Sequence, residues 1–160
     1  MDLQEYSMKD LLLTAIKSEE DNYQLYSTLD SKMGEDEVSS DLEFLAGEEK
    51  KHRALLEKIF SNRFPQEEVN VDEIATDVPL PMIDIAPGNY PVGDLLSQVM
   101  EAEKITADFY SSWKDIQPRE DREMNKVLED LSKWEMTHHD IVKDLRDKKK
   151  KSGKKIKWQR

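Results

Sequence analysis

Leu45-Ala46-Gly47-Glu48-Glu49-Lys50-Lys51-His52-Arg53-Ala54-Leu55-Leu56 reads as helix and carries a Glu-x-x-His step from Glu49 to His52. Three residues make about one helical turn, so the two side chains lie on one face and can grip the same ion. A carboxylate stacked with an imidazole is a half-site for iron, manganese or zinc, and helical bundles build di-iron sites from such steps. The step recurs 86 residues further on, in Leu131-Ser132-Lys133-Trp134-Glu135-Met136-Thr137-His138, with Leu, Glu and His at the same relative positions.

Outward from these two steps the chain reads as four helices. Apolar residues at Leu12, Leu13, Ile16, Tyr23, Leu25, Tyr26 and Leu29 predict a first helix from about Asp10 to Lys32, with Ser7 placed to cap it and Glu19 interrupting its apolar face. A short turn at Gly34 leads to a second helix from about Glu37 to Ser61, so the pair forms an antiparallel hairpin. Residues 62–93 contain Pro65, Pro79, Pro81, Pro87 and Pro91 with Gly88 and Gly93, which forbids a continuous helix and marks a crossover, with one turn of helix expected at Val69 to Ile74. A third helix is predicted from about Asp94 to Asp115 and a fourth from Arg119 to about Lys149, with Pro118 near its first position.

Shifting the first helix by 84 residues places Leu12 on Leu96, Glu19 on Glu103 and Tyr26 on Tyr110; shifting the second by 86 places Leu42 on Leu128, Glu49 on Glu135 and His52 on His138. The chain is therefore a duplicated helical hairpin. The expected fold is an all-α, antiparallel four-helix bundle over residues 1–147, built from two hairpins joined by a long crossover.

Composition narrows the function. Of 160 residues, 37% are charged and the net charge is −11; residues 146–160 hold nine Lys or Arg against one Asp, which leaves −19 on residues 1–145. An acidic body argues against nucleic acid as the main partner and is compatible with attracting metal cations. The basic segment 148–160 reads as a disordered, solvated extension, with contact to nucleic acid or anionic lipid as the sharper alternative. With no cysteine there are no disulfides, thiolate metal sites or iron-sulfur clusters. No apolar run is long enough for a transmembrane segment, and Met1-Asp2-Leu3-Gln4-Glu5 lacks the features of a signal peptide, so a cytoplasmic location is expected.

One inward carboxylate from each of the first and third helices, with one Glu-x-x-His from each of the second and fourth, gives Glu19, Glu49, His52, Glu103, Glu135 and His138. Four carboxylates and two imidazoles are the ligand count of a di-iron or di-manganese site in a four-helix bundle. Oxygen and nitrogen donors suit those metals, and the lack of thiolates disfavours structural zinc. His139, Asp140 and Glu101 read as solvated or peripheral.

The pattern Ala15-x-x-x-Glu19 with Leu25-Tyr26, Leu45-Ala46-x-x-Glu49-x-x-His52, Glu103 with Phe109-Tyr110, and Glu135-x-x-His138 resembles the ferritin-like domain of rubrerythrins and their short relatives that lack a rubredoxin domain. The resemblance covers residues 8–148. It implies two iron ions, replaceable by manganese or zinc, with Glu49 and Glu135 bridging them, Glu19 and Glu103 as terminal carboxylates, and His52 and His138 each capping one metal. Tyr26 and Tyr110 would be hydrogen-bond donors to the ligands. The implied activity is that of a non-haem di-iron oxidoreductase, of peroxidase or ferroxidase type, which reacts with peroxide or oxygen and draws on an external electron donor such as a rubredoxin-like protein; the expected assembly is a homodimer. Two other readings are a ferritin- or bacterioferritin-like ferroxidase in iron handling and a metal-free structural or adaptor bundle.

The chain departs from its relatives at two places. Full-length rubrerythrins append a four-cysteine rubredoxin domain, which this sequence lacks, and many carry an extra Glu one turn after the third-helix ligand, where Thr106 stands here. That replacement implies little preference for peroxide over oxygen. Bacterioferritin shares the double Glu-x-x-His, but its haem-binding Met is replaced by Lys50, so no haem is expected.

Overall fold

Ser7 starts the first helix, α1 (Met8–Met33), by accepting a hydrogen bond from the Asp10 amide at 3.1 Å. The helix ends at Gly34, whose φ of 58° lets its N–H reach the Asp30 carbonyl, a backbone shape that glycine adopts without steric cost. The chain turns there into α2 (Asp36–Arg63), and α1 packs along α2 as the short connection dictates. The second hairpin pairs α3 (Val92–Ile116) with α4 (Arg122–Lys149) in the same way. This computed structural model describes residues 2–34, 36–70, 78–82 and 84–159. The fold is the expected four-helix bundle, and no helix among the described residues is long and apolar enough to cross a membrane.

The fourth helix begins at Arg122, three residues later than the proline suggests. The Asp121 carboxylate accepts from the Met124 amide at 3.2 Å and is held by Arg63 at 2.6 and 2.9 Å, so the capping residue is Asp121 and Pro118 stays in the turn. Of the helical turn expected at Val69 to Ile74, residues 71–74 lie outside the described residues.

The basic segment is the main correction. Far from a disordered extension, Lys155–Trp158 forms strand β2, antiparallel to β1 (Gly88–Pro91) at the end of the crossover, with Tyr90 opposite Ile156 and Gly88 opposite Trp158. Lys-Ile-Lys-Trp alternates with period two, so Ile156 and Trp158 turn inward while the lysines face water. Two lysines reinforce the docking, Lys32 donating to the Lys157 carbonyl at 2.9 Å and Lys154 to the Met33 carbonyl at 2.6 Å.

Two apolar clusters fill the bundle. One contains Leu29, Met33, Leu42, Leu45, Leu96, Val99, Val142 and Leu145 together with Ile156 and Trp158; the other contains Leu12, Ile16, Leu56, Phe60, Trp113, Leu128 and Leu131. On every helix the Glu and His positions of the repeat fall between the residues that enter one cluster and those that enter the other. A polar layer is thereby enclosed at mid-bundle, shielded from water above and below.

Candidate metal centre

Each helix contributes to that layer through its inward face. Glu19, Glu49 and Glu135 are fully buried, Glu103 and His138 are 2% exposed and His52 is 4% exposed. Carboxylates are almost never buried like this without compensation, because removing their charge from water costs several kcal/mol each. The hydrogen bonds present do not supply it. His52 Nδ1 lies 3.0 Å from Glu135 Oε1 and 3.5 Å from Glu19 Oε2, and the Tyr26 hydroxyl donates to Glu103 while that of Tyr110 donates to Glu19. Yet both oxygens of Glu49, one oxygen each of Glu19, Glu103 and Glu135, and Nδ1 of His138 have no hydrogen-bond partner. His138 Nδ1 and Glu49 Oε1 are 2.7 Å apart but not oriented as donor and acceptor.

Unpaired lone pairs that converge in a buried layer fit a cation. The donor atoms fall into two groups of four, Glu19, Glu49, His52 and Glu135 in one and Glu49, Glu103, Glu135 and His138 in the other, each group with its donors within 4.8 Å of one another. Glu49 and Glu135 belong to both. All six residues singled out by the repeat are thus brought together, and the donor set, oxygen with imidazole nitrogen, suits iron or manganese.

Electrostatics agree with that fit. Burial, reinforced by the charges of Glu135, Glu19 and Glu103, pushes Glu49 well above the ordinary glutamate range, and burial with Glu135 nearby does the same to Glu103. Burial and the charge of Glu19 take Glu135 up to about 7. Burial also works against a charge on His52, but the Glu135 and Glu19 carboxylates outweigh it and hold the imidazole up at about 10. For Glu19 burial is likewise outweighed, here by the closeness of Glu49 and the His52 imidazole and by the bond from the Tyr110 hydroxyl, and its carboxyl falls to about 2. His138 is pushed down, chiefly by burial. Without a cation, the four carboxyls must share protons, since like charges this close cannot all ionise.

The tyrosines act across the bundle. Tyr26 of α1 serves Glu103 of α3, and Tyr110 of α3 serves Glu19 of α1, so each phenol supports the carboxylate on the opposite hairpin. Burial and the neighbouring carboxylates raise both phenols well above their usual value, which keeps them protonated as donors.

Three features of the layer escaped the sequence. Thr106 is fully buried, and its hydroxyl lies 3.0 Å from the Ala102 carbonyl and 3.1 Å from the Pro81 carbonyl, so it anchors the crossover; Ser18 approaches the same carbonyl at 3.5 Å. Asn22 occupies the position of Thr106 in the other half of the repeat, and its buried Nδ2 has no partner. Trp134, which the helical pattern left without a role, stacks on His52 with ring centroids 5.2 Å apart. The repeat signals Asn22 and Thr106 as a pair once the 84-residue shift is applied; nothing in the sequence signals the Pro81 contact.

The chain resembles known proteins as this geometry suggests. A hypothetical protein from Pyrococcus furiosus with a solved structure shares 29% identity over 89% of this chain and 90% of its own, at a TM-score of 0.71. A search among curated proteins found no match. The profile of the rubrerythrin family matches residues 10–146, a span that holds all four helices' contributions to the buried Glu and His layer. The chain belongs to the rubrerythrin family.

Proposed function

We propose that this protein is a non-haem di-iron oxidoreductase that reacts with hydrogen peroxide or dioxygen and is returned to its reduced state by an external electron donor. The observation that carries this reading is the pair of buried four-residue groups that share Glu49 and Glu135. In it Glu19, Glu49, His52 and Glu135 would hold one metal ion, and Glu49, Glu103, Glu135 and His138 would hold the other. Two ferrous ions bound by these residues would supply two electrons, the number that cleavage of a peroxide bond consumes.

The chain's own residues do the rest. Tyr26 and Tyr110 hold Glu103 and Glu19 in orientation and keep a proton beside each carboxylate. The apolar clusters on either side exclude water from the layer. Electrons come from outside because the chain has no cysteine with which to build an iron-sulfur relay.

Anaerobic loading with Fe(II) followed by elemental analysis tests this reading. Two irons per chain are expected, with Glu135→Ala losing both and Glu103→Ala losing the second in preference, and stopped-flow mixing with peroxide or oxygen should oxidise the loaded chain once in the absence of a donor. An iron content near zero in the unmodified chain would sink the proposal.

A further inference from the structure

Trp134 stands one residue before Glu135 on α4, and it is 43% exposed although it is one of the largest apolar side chains in the molecule. Its indole lies flat on the His52 imidazole, with ring centroids 5.2 Å apart and planes 12° from parallel. Behind His52 the His138 ring continues the stack at 5.4 Å and 10°. Three aromatic rings therefore form a column that begins in solvent and ends among the donors of the buried layer. Elsewhere the layer is closed, since its four carboxylates are at most 2% exposed.

A plain covering role for the indole is countered by the repeat. The 86-residue shift that places Glu49 on Glu135 and His52 on His138 places Glu48 on Trp134. The position that matches Trp134 in the other half of the repeat thus carries a carboxylate in place of a ring. Among the described residues the exposed ring stacked on a buried imidazole belongs to one half of the repeat, and the asymmetry calls for a role that the fold does not require.

We infer that Trp134 is the contact through which a one-electron carrier protein delivers electrons to the centre by way of His52; the inference rests on the di-iron reading above. Each carrier gives up one electron and leaves oxidised. Two such transfers return two ferric ions to the ferrous state, and no bond is made or broken at Trp134. The indole and the imidazole bridge the gap by overlap of their π faces and keep their own oxidation states. Trp134 touches His52 and neither substrate nor metal, so its part is to conduct and to position the donor.

The test uses the full chain loaded with iron, with Trp134→Leu and Trp134→Phe as variants. The probe is cobalt(II) sepulchrate, a caged one-electron reductant too bulky to enter the bundle. Trp134→Leu should bind as much iron as the unmodified chain and be oxidised by peroxide at the same rate, yet its ferric form should be reduced about tenfold more slowly, while Trp134→Phe stays within about threefold. A second readout needs no turnover: Trp134 emission, taken as the difference between the unmodified chain and Trp134→Phe, should be retained with Zn(II) and quenched with Fe(III). Equal reduction of the Leu variant and the unmodified chain, a slowing that Phe does not restore, or emission indifferent to Fe(III) would overturn the inference while leaving the di-iron reading standing. Failure of the unmodified chain to take up iron would instead remove the di-iron reading itself, and this inference with it.

Discussion

The Tyr26 hydroxyl of α1 donates to the Glu103 carboxylate of α3, 77 residues away in the chain, and the Tyr110 hydroxyl returns the same bond from α3 to Glu19 of α1. The two hairpins are thus cross-linked by polar contacts through the layer that the apolar clusters enclose. Removing one phenol leaves a buried carboxylate oxygen without its donor. Tyr26→Phe should weaken metal binding about 10- to 100-fold, the usual effect of losing a group that orients a ligand, with Tyr110→Phe similar. Titration with Fe(II) or Mn(II) by calorimetry reads this directly, and unchanged affinity would show that the phenols are only core aromatics.

Metal removal should destabilise the fold. Six donors lack hydrogen-bond partners and four carboxyls compete for protons, both of which a pair of divalent cations relieves. At a free metal concentration about 100 times Kd the gain per site is about 2.7 kcal/mol, enough to raise Tm by roughly 5–10 °C in a chain of this size. Because burial and the neighbouring carboxylates favour the protonated forms of Glu49 and Glu103, metal loading should also release protons, measurable in weakly buffered solution.

Asp121 gives a pH prediction away from the centre. Hydrogen bonding to Arg63 holds its carboxyl below the ordinary aspartate value. A carboxyl depressed in the fold stabilises fully above its unfolded value and loses that stability as pH falls through its folded one. Asp121→Asn should therefore cost about 1 kcal/mol at pH 7 through the two-bond contact with Arg63, since an asparagine oxygen still caps the helix. The gap should narrow below about pH 4, where the unmodified carboxylate begins to protonate. Chemical denaturation across pH 3 to 7 tests both parts.

Thr106→Val keeps the side-chain volume close while removing the hydroxyl that meets the Pro81 carbonyl. A loss of about 1 kcal/mol is expected, with faster proteolysis of the crossover as the sign that its anchor has gone. Thr106→Glu should cost more, since it places a carboxylate in a fully buried position against that carbonyl. If denaturation midpoints of Thr106→Val and the unmodified chain coincide, the anchor is not needed.

Truncation after Gly153 removes Ile156 and Trp158 from the core cluster that contains Met33 and Val92. Burying each such side chain is worth about 1.5–3 kcal/mol, so the shortened chain should lose roughly 3–5 kcal/mol and melt earlier. A truncated chain with unaltered Tm would mean that β2 contributes nothing to stability.

The bundle and the six buried donors were legible because their signals are periodic. Glu19 and Glu103 interrupt matched apolar faces, and Glu49-x-x-His52 repeats as Glu135-x-x-His138, so spacing alone places them on facing helices. The C-terminal strand was hidden by its own lysines, which dominate the composition of the segment while Ile156 and Trp158 alternate with two of them. The cap at Asp121 was missed because Pro118 is an equally plausible start signal, and Arg63, which decides between them, lies on another helix. Trp134 on His52 and Thr106 on Pro81 are contacts between distant parts of the chain, and periodicity within one helix carries no information about them.

The pairing of β2 with β1 also sets an order of events during synthesis. Residue 158 faces residue 88 across the ribbon, and Trp158 completes a cluster that borders the buried Glu and His layer. Until that tryptophan has left the ribosome, one side of the layer has no finished wall. A chain synthesised only as far as α4 would therefore display a bundle whose acidic interior is still open to water on the side that Ile156 and Trp158 close.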